Sequence, residues 1–492
     1  MTEHIVTTTS GRVQGTEDMG IPVWRGIPYG ESTGGSRRFR PAVPPAPWDG
    51  VRPAAAFGDI CWQLPMTDEP MMLRIVDPDA RESEDCLRLN VWSPNADDHN
   101  RPVLVWFHPS GHMLGSGSSP YGNPRVYAAQ HDCVIVTANY RLGIWGHLYL
   151  GGFDSQYADT GNQIVRDQLL LLEWIQDNIK RFGGDPTNVT VFGESGGGYN
   201  IGTLLGIPSS RGLLHKAAIY SGGATHPVDP ETATELTRRL LDVLGPSVTV
   251  DDLLTMSNVR LRYAHKKLGE TEAVRYSAVI DGDLIPQPPL EAIAAGAARD
   301  IPLLVSNTAD EAAMWNVLKE GGASDAVATQ SATSTEFAAL AETYRRQTAP
   351  GRDPDVDLLS DVTFFADSAK LLAAHEEGGG LAWFEMFDYT AESFPLQDVG
   401  AMHGTDIGML LHDRDHIEPD AAATPTENDR RVAALEQQAL VSLARTGKPD
   451  MDGIALWRPH RQEDRQMVRL GSQPATDIWQ PRPAVTLAVQ TG

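Results

Sequence analysis

A doubly wound α/β fold is what this sequence predicts, on three observations. Short continuous apolar runs recur along the chain, amphipathic segments of helical period stand between them, and one apolar run passes straight into a glycine-rich turn. Continuous apolar runs fit strands covered on both faces, and their alternation with helices fits a mostly parallel sheet. Pro102–His108 (PVLVWFH) and Cys133–Asn139 (CVIVTAN) read as the first two buried strands. Ile164–Phe182 reads as a helix, with Leu169, Leu172, Ile175 and Ile179 at helical spacing and a stop at Gly183-Gly184 before Asp185-Pro186. Val189–Phe192 is the strand that enters the turn, and Gly198 to Leu205 continues as a helix. Pro302–Ser306 and Ala382–Phe387 are further strands, and Asp429–Thr446 is a second strong helix, ended by Gly447 and Pro449. The stretch from about Leu318 to Gly380 is mostly helical and polar, an insertion packed on the core. The chain carries no internal repeat, low-complexity tract or long Gly/Ser linker, so one domain over residues 1–492 with a helical insertion at about 318–380 is expected.

Composition removes several function classes. Lys and Arg total 40 against 65 Asp and Glu, a formal net charge of −25 over 492 residues. Such a chain repels phosphate backbones and anionic membrane surfaces, which argues against a nucleic-acid or membrane partner. No stretch approaches the roughly 18 consecutive apolar residues of a membrane span. The N-terminus MTEHIVTTTSGRVQG has neither a basic n-region nor an apolar h-region, so a cytoplasmic location is the expectation. Three cysteines are too few for a disulfide scaffold; reduced thiols are the default and a Cys61–Cys86 bridge the alternative. No CxxC, HExxH or Cys/His cluster is present, and no metal or organic cofactor is implied.

The chemistry is concentrated in Val189-Thr-Val-Phe-Gly193-Glu194-Ser195-Gly196-Gly197-Gly198-Tyr199. A strand running into G-x-S-x-G and on into a helix is the context of a nucleophile elbow: the glycines permit a tight turn that pushes the Ser195 hydroxyl outward. Such a serine needs a general base and an oxyanion hole. Gly196, the residue after it, would supply one amide, and the small-residue turn His108-Pro109-Ser110-Gly111-His112 stands where the rest of the hole is expected. The acid and base should follow in the order Ser, acid, His. Asn307-Thr-Ala-Asp310-Glu311 puts carboxylates after a strand, and Gly400-Ala-Met-His403-Gly404-Thr-Asp406 carries a histidine, but spacing alone does not choose among many competitors.

The sequence resembles the type B carboxylesterase family, the cholinesterase-like branch of the α/β-hydrolases, over nearly its whole length. Trp24-Arg-Gly-Ile-Pro-Tyr29 is similar to the family's F-x-G-I-P-Y-A, and Ser83-Glu-Asp-Cys86-Leu-Arg-Leu-Asn-Val-Trp-Ser-Pro94 to its S-E-D-C-L-x-L-N-V-x-x-P. Asn139-Tyr-Arg-Leu-Gly143, Gly161-Asn162, Asp167-Gln168, Phe182 through Gly197, Gly212 through Gly222 and Asp281-Gly-Asp283 follow in the family's order. The resemblance implies the α/β-hydrolase fold and a triad in which Ser195 is the nucleophile, Glu311 the acid and His403 the base. Ser221 corresponds to a second serine that supports the acid–histidine pair, and Glu194 inside the elbow joins it as a supporting residue. The family's H-G-G-G corresponds to His108-Pro109-Ser110-Gly111, so the hole donors would be the amides of Ser110, Gly111 and Gly196. The departures are Pro109 and Ser110 for glycines, Ala312 after the acid, Asp406 for a glutamate, and His112 and His147 where Phe is common. Proline has no N–H, and serine tolerates positive φ poorly. His112 and His147 read as structural histidines rather than substrate contacts.

What this implies is a serine carboxylesterase that hydrolyses a small-molecule ester through an acyl-enzyme, as a monomer or homodimer. The same triad would serve carbamate or amide hydrolysis or acyl transfer, and a non-catalytic binding protein is the second alternative. The Cys61–Cys86 loop carries Met66, Met71, Met72 and Ile75 with Trp62 only at its start, so choline esters are expected to be poor substrates.

Overall fold

The computed structural model describes residues 4–64, 79–109, 111–119, 124–224, 226–271, 276–318, 321–393, 397–411 and 424–491. The chain divides into two compact units, residues 1–215 with 225–292 and residues 216–224 with 293–492.

In the first unit, six strands lie side by side: β1 (Thr16–Asp18), β2 (Ile21–Pro28), β3 (Arg88–Trp92), β4 (Arg101–Phe107), β5 (Val134–Ala138) and β6 (Gly184–Glu194), in the order β1-β2-β3-β5-β4-β6. The pairs from β1 to β5 are antiparallel, and β5–β4 and β4–β6 are parallel. Val105 faces Val136 on one side and Val191 on the other, and all three are fully buried. Burial on both faces is why these strands read as unbroken apolar runs. Strand β6 begins at Gly184, five residues before the apolar run, because Gly184 already pairs with Arg101. Helix α1 (Gln163–Asn178) runs on through a tight turn, Ile179–Phe182, and is stopped by Gly183 at φ 87°, a conformation glycine adopts without strain. Helix α2 (Gly196–Gly206) starts directly after Ser195, two residues earlier than the sequence suggests, and is buried all round except at Tyr199.

In the second unit, β7 (Lys216–Tyr220), β8 (Leu303–Thr308), β9 (Ala382–Phe387) and β10 (Gln466–Leu470) are parallel in that order, and β11 (Ala475–Ile478) closes the edge antiparallel. The polar stretch between β8 and β9 is helical: α3 (Gly322–Thr333), α4 (Thr335–Gln347), α5 (Pro354–Ser360), a π-turn at Asp361–Phe365 and α6 (Ala366–Glu377). Helix α7 (Thr405–Leu411) follows the His403 turn. Helix α8 (Glu427–Thr446) opens with a reciprocal capping box between Thr426 and Asp429 and ends at Gly447, φ 77°.

Candidate active site

Strand β6 delivers Ser195 into a turn that only a strained residue can make. Ser195 has φ 50° and ψ −119°, a conformation an L-residue adopts at a cost of about 1–3 kcal/mol. The flanking glycines are sterically required. A Cβ on Gly197 would stand 2.0 Å from the Phe107 carbonyl oxygen, and one on Gly193 would stand 2.8 Å from it. Ser195 is half-buried, while Glu194 beside it is 2% exposed. The Ser195 carbonyl accepts from Tyr199 N–H at 2.9 Å, closing the first turn of α2, so the helix N-terminus and its positive dipole end lie at the serine.

The turn after β4 lies against the same helix start. A Cβ on Gly196 would fall 2.9 Å from Gly111 N and 3.1 Å from His112 N, so the backbone amides after β4 are packed onto Gly196. The positive backbone angles here belong to Gly111 (φ 60°) and His112 (φ 65°). Ser110 lies outside the described residues. His108 is held by its neighbours: its ring stacks on Tyr140 at 4.2 Å and 2°, Tyr140 Oη donates to the His108 carbonyl at 2.9 Å, and Nδ1 meets the Pro109 carbonyl at 3.2 Å. Burial pulls its pKa down to about 4, so the ring is neutral at neutral pH. His112 is buried, with its ring nitrogens 3.0 Å and 3.3 Å from the carbonyl oxygens of Gly196 and Tyr276.

In the second unit the acid is over-supplied with donors. Glu311, fully buried at the end of β8, accepts from Ser221 Oγ (2.7 Å), Asn307 Nδ2 (3.0 Å) and Thr308 N–H (2.9 Å) on Oε1, and lies 2.8 Å from His403 Nδ1 through Oε2. A carboxylate can only accept, so Nδ1 carries the proton and Nε2 is left as the basic nitrogen. The neighbouring Asp310 points elsewhere, to Arg352 Nη2 at 2.9 Å. The His403 amide donates to the Glu311 carbonyl at 3.2 Å, and its ring packs on Phe364 at 4.4 Å. Ser221 follows β7 with φ 49°. Asp406, two residues into α7, is fully buried.

Sequence reasoning missed several of these partners. Asn307 and the Thr308 amide were within reach of it, because they share the Asn307-Thr-Ala-Asp310-Glu311 turn with the acid. Ser360 Oγ, which accepts from Ala312 N–H at 2.9 Å, and Phe364 come from the helical stretch and carry no local signal. Cys61, Cys86 and Cys133 are buried thiols outside any disulfide. Met66, Met71, Met72 and Ile75 lie outside the described residues; Trp62 stacks on Trp145 at 6.5 Å and under the Arg262 guanidinium. Among the described residues no group of three or more His, Cys, Asp or Glu could hold a metal ion, and no helix is long and apolar enough to cross a membrane.

A model of the carboxylesterase family matches residues 2–484. The chain is 33% identical over 482 residues to a para-nitrobenzyl esterase of Bacillus subtilis (strain 168), covering 96% of each protein. It is 31% identical to a phenmedipham hydrolase of Pseudarthrobacter oxydans, again over 96% of each. Among solved structures, a carboxylesterase of Geobacillus stearothermophilus superposes with a TM-score of 0.83 at 32% identity, over 96% of this chain and 97% of that one. A thermophilic PNB esterase superposes with a TM-score of 0.85 at 31% identity, over 97% and 98%.

Proposed function

The chain belongs to the carboxylesterase family, has its α/β-hydrolase fold and is a serine carboxylesterase; we propose that Ser195, His403 and Glu311 are its catalytic triad and the amides of Ser110, Gly111 and Gly196 its oxyanion hole. The observation that carries this reading is the Glu311–His403 contact at 2.8 Å, which commits Nδ1 and leaves Nε2 basic. The pairing of His403 with Ser195 rests on the order of motifs along the chain.

In this mechanism His403 Nε2 takes the Ser195 proton as Oγ attacks the ester carbonyl. The oxyanion that forms accepts from the hole amides, and the positive end of α2 adds to the stabilisation. His403 then returns the proton to the departing alcohol, leaving an acyl-Ser195. Water, deprotonated by His403 in turn, releases the acid. Ser221 and Asn307 donate to Glu311 Oε1 and hold the carboxylate fixed in register. Glu194 supports the elbow from its buried place beside Ser195. The substrate is a small ester, and three buried thiols outside any disulfide support a cytoplasmic place of action for one hydrolase domain.

The test is Ser195→Ala, which removes one hydroxyl from a half-buried position. Hydrolysis of a p-nitrobenzyl ester should vanish with the thermal midpoint unchanged, and a stoichiometric organophosphate should label the parent once and the variant not at all. Equal activity in the variant would end the assignment.

A further inference from the structure

Both ring nitrogens of His112 face carbonyl oxygens: Nε2 lies 3.0 Å from that of Gly196, and Nδ1 3.3 Å from that of Tyr276. A carbonyl only accepts, and a neutral imidazole has a single N–H, so one of the two contacts is a hydrogen bond and the other is not. The ring is 7% exposed and stacks on the His147 ring at 5.2 Å, a place that disfavours the imidazolium. The shorter contact is the one to Gly196, so the tautomer with its proton on Nε2 makes the better hydrogen bond. In that tautomer Nε2–H donates to Gly196 and the Nδ1 lone pair faces Tyr276.

We propose that His112 is a positioning residue for the esterase reaction, pinning Gly196 through this hydrogen bond so that the Gly196 amide stays aimed at the oxyanion. The inference rests on the assignment of Gly111 and Gly196 as hole donors. A Cβ on Gly196 would stand 2.9 Å from Gly111 N, so no side chain of its own can add to the hold that the first turn of α2 gives the residue. Its carbonyl is the handle that remains. His112 is itself fixed at both ends. Its main chain sits at φ 65° beside Gly111, and its carbonyl accepts from Gly143 N–H at 2.7 Å. The turn that carries one hole amide therefore also reaches across and grips the residue that carries another. Oxyanion stabilisation falls steeply with misplacement, about 10²-fold for 1 Å, so loss of the grip is felt in the transition state rather than in substrate binding.

The side chains that test this differ in where they place a donor. Glutamine puts its amide nitrogen near the Nε2 position, asparagine only near Nδ1, and phenylalanine fills the ring volume with no donor. His112→Phe should lower kcat on a neutral aryl ester about 10- to 100-fold with KM within about twofold. His112→Gln should restore kcat to within about threefold of the parent, and His112→Asn should stay with phenylalanine. Parental kcat in His112→Phe, or rescue by asparagine and not by glutamine, overturns the proposal. If His112→Phe does not fold, the glutamine and asparagine variants decide alone: a gap of about fivefold or more in kcat supports the grip on Gly196, and equality overturns it. Organophosphate labelling separates this failure from that of the esterase site. A parent that takes no label at Ser195 removes the site and this inference together, whereas full labelling with unchanged kcat in His112→Phe removes only the inference.

Discussion

Replacing Glu311 by glutamine keeps the shape of the acid and changes which of its ends can accept. Three donors converge on Oε1, from Ser221, Asn307 and the Thr308 amide, and one on Oε2, from His403 Nδ1. The glutamine NH2 must occupy one of these two places. Set at Oε1, it confronts three donors in a fully buried site; set at Oε2, it confronts one. An unsatisfied buried donor costs about 1–3 kcal/mol, so the amide nitrogen goes to Oε2 and faces His403. His403 can relieve that clash only by moving its proton to Nε2. That is the wrong tautomer, because Nε2 can then no longer accept the Ser195 proton. The triad template puts the loss for this kind of change at about 10⁴ in kcat, or about 5 kcal/mol of transition-state stabilisation. Stability should move little, since all three donors to Oε1 keep an acceptor. Glu311→Ala, by contrast, strips the acceptor from all of them and should unfold early. The assay is kcat and KM on an aryl ester beside a urea midpoint, with Asp310→Asn as the comparison. Asp310 pairs with Arg352 and not with His403, so its loss should cost less than about tenfold. Glu311→Gln with more than a few per cent of parental kcat, or Asp310→Asn as the worse variant, would refute the reasoning.

Gly196→Ala should abolish turnover without unfolding the chain, because its methyl would stand 2.9 Å from Gly111 N and push the turn after β4 away from the start of α2; near-parental kcat would exclude Gly111 as a donor. Ser221→Ala removes one of the charge-assisted bonds to Glu311 and should lower kcat about tenfold with KM unchanged, the lower end of what such a bond is worth. The third concerns pH and stability. Glu385 on β9 is fully buried among Ser306 of β8, Glu436 of α8 and, beyond Glu436, Asp406 of α7, and burial pushes its pKa up to about 7, with Glu436 raised as well. A carboxyl whose pKa is higher folded than unfolded contributes stability at acid pH that is lost as pH rises. For Glu385 the window runs from about 4.5 to about 7 and the loss is about 3 kcal/mol. Urea titrations at pH 5 and pH 7.5 should show a larger loss in the parent than in Glu385→Gln, which keeps the buried Glu436; equal slopes in both would remove Glu385 as its source.

The turns of the proposed site were legible because each is a local pattern whose steric logic fits in a few residues. Gly193-x-Ser195-x-Gly197 after an apolar strand could be read from composition and spacing alone, and the glycines proved to be demanded by the Phe107 carbonyl. The buried strands were legible for the opposite reason: burial on both faces leaves a run such as PVLVWF with no polar interruption to misread. The choice of Glu311 over Asp310 was not legible from residues. Adjacent carboxylates point to opposite sides, and which of them meets His403 depends on Arg352, 42 positions along the chain, holding the other. Phe364 and Ser360, which bear on His403 and the acid turn, come from a polar helical stretch with no pattern to mark them. Likewise Glu385 and Glu436 stand in an apolar strand and an amphipathic helix, where a charged residue reads as solvent-facing, whereas the fold buries both.

Backbone strain connects these observations. The sequence leaves open whether Ser110, a non-glycine in a glycine's place, is strained, and Ser110 lies outside the described residues. Among the described residues it is His112, the residue after Gly111, that takes a left-handed φ, and Ser195 and Ser221 take positive φ at the ends of β6 and β7. Each costs about 1–3 kcal/mol and persists only where its surroundings over-determine it. For His112 the surroundings are its bond to Gly143 and its contact with Gly196; for Ser221 they are its bonds to Ser306 and Glu311. In both cases the strained residue also contacts a group of the proposed site, the Gly196 carbonyl or the Glu311 carboxylate. A glycine at either position would remove the strain and, with it, the side chain that makes the contact. At His112 and Ser221 the backbone cost is set against the side-chain contacts with the Gly196 carbonyl and the Glu311 carboxylate.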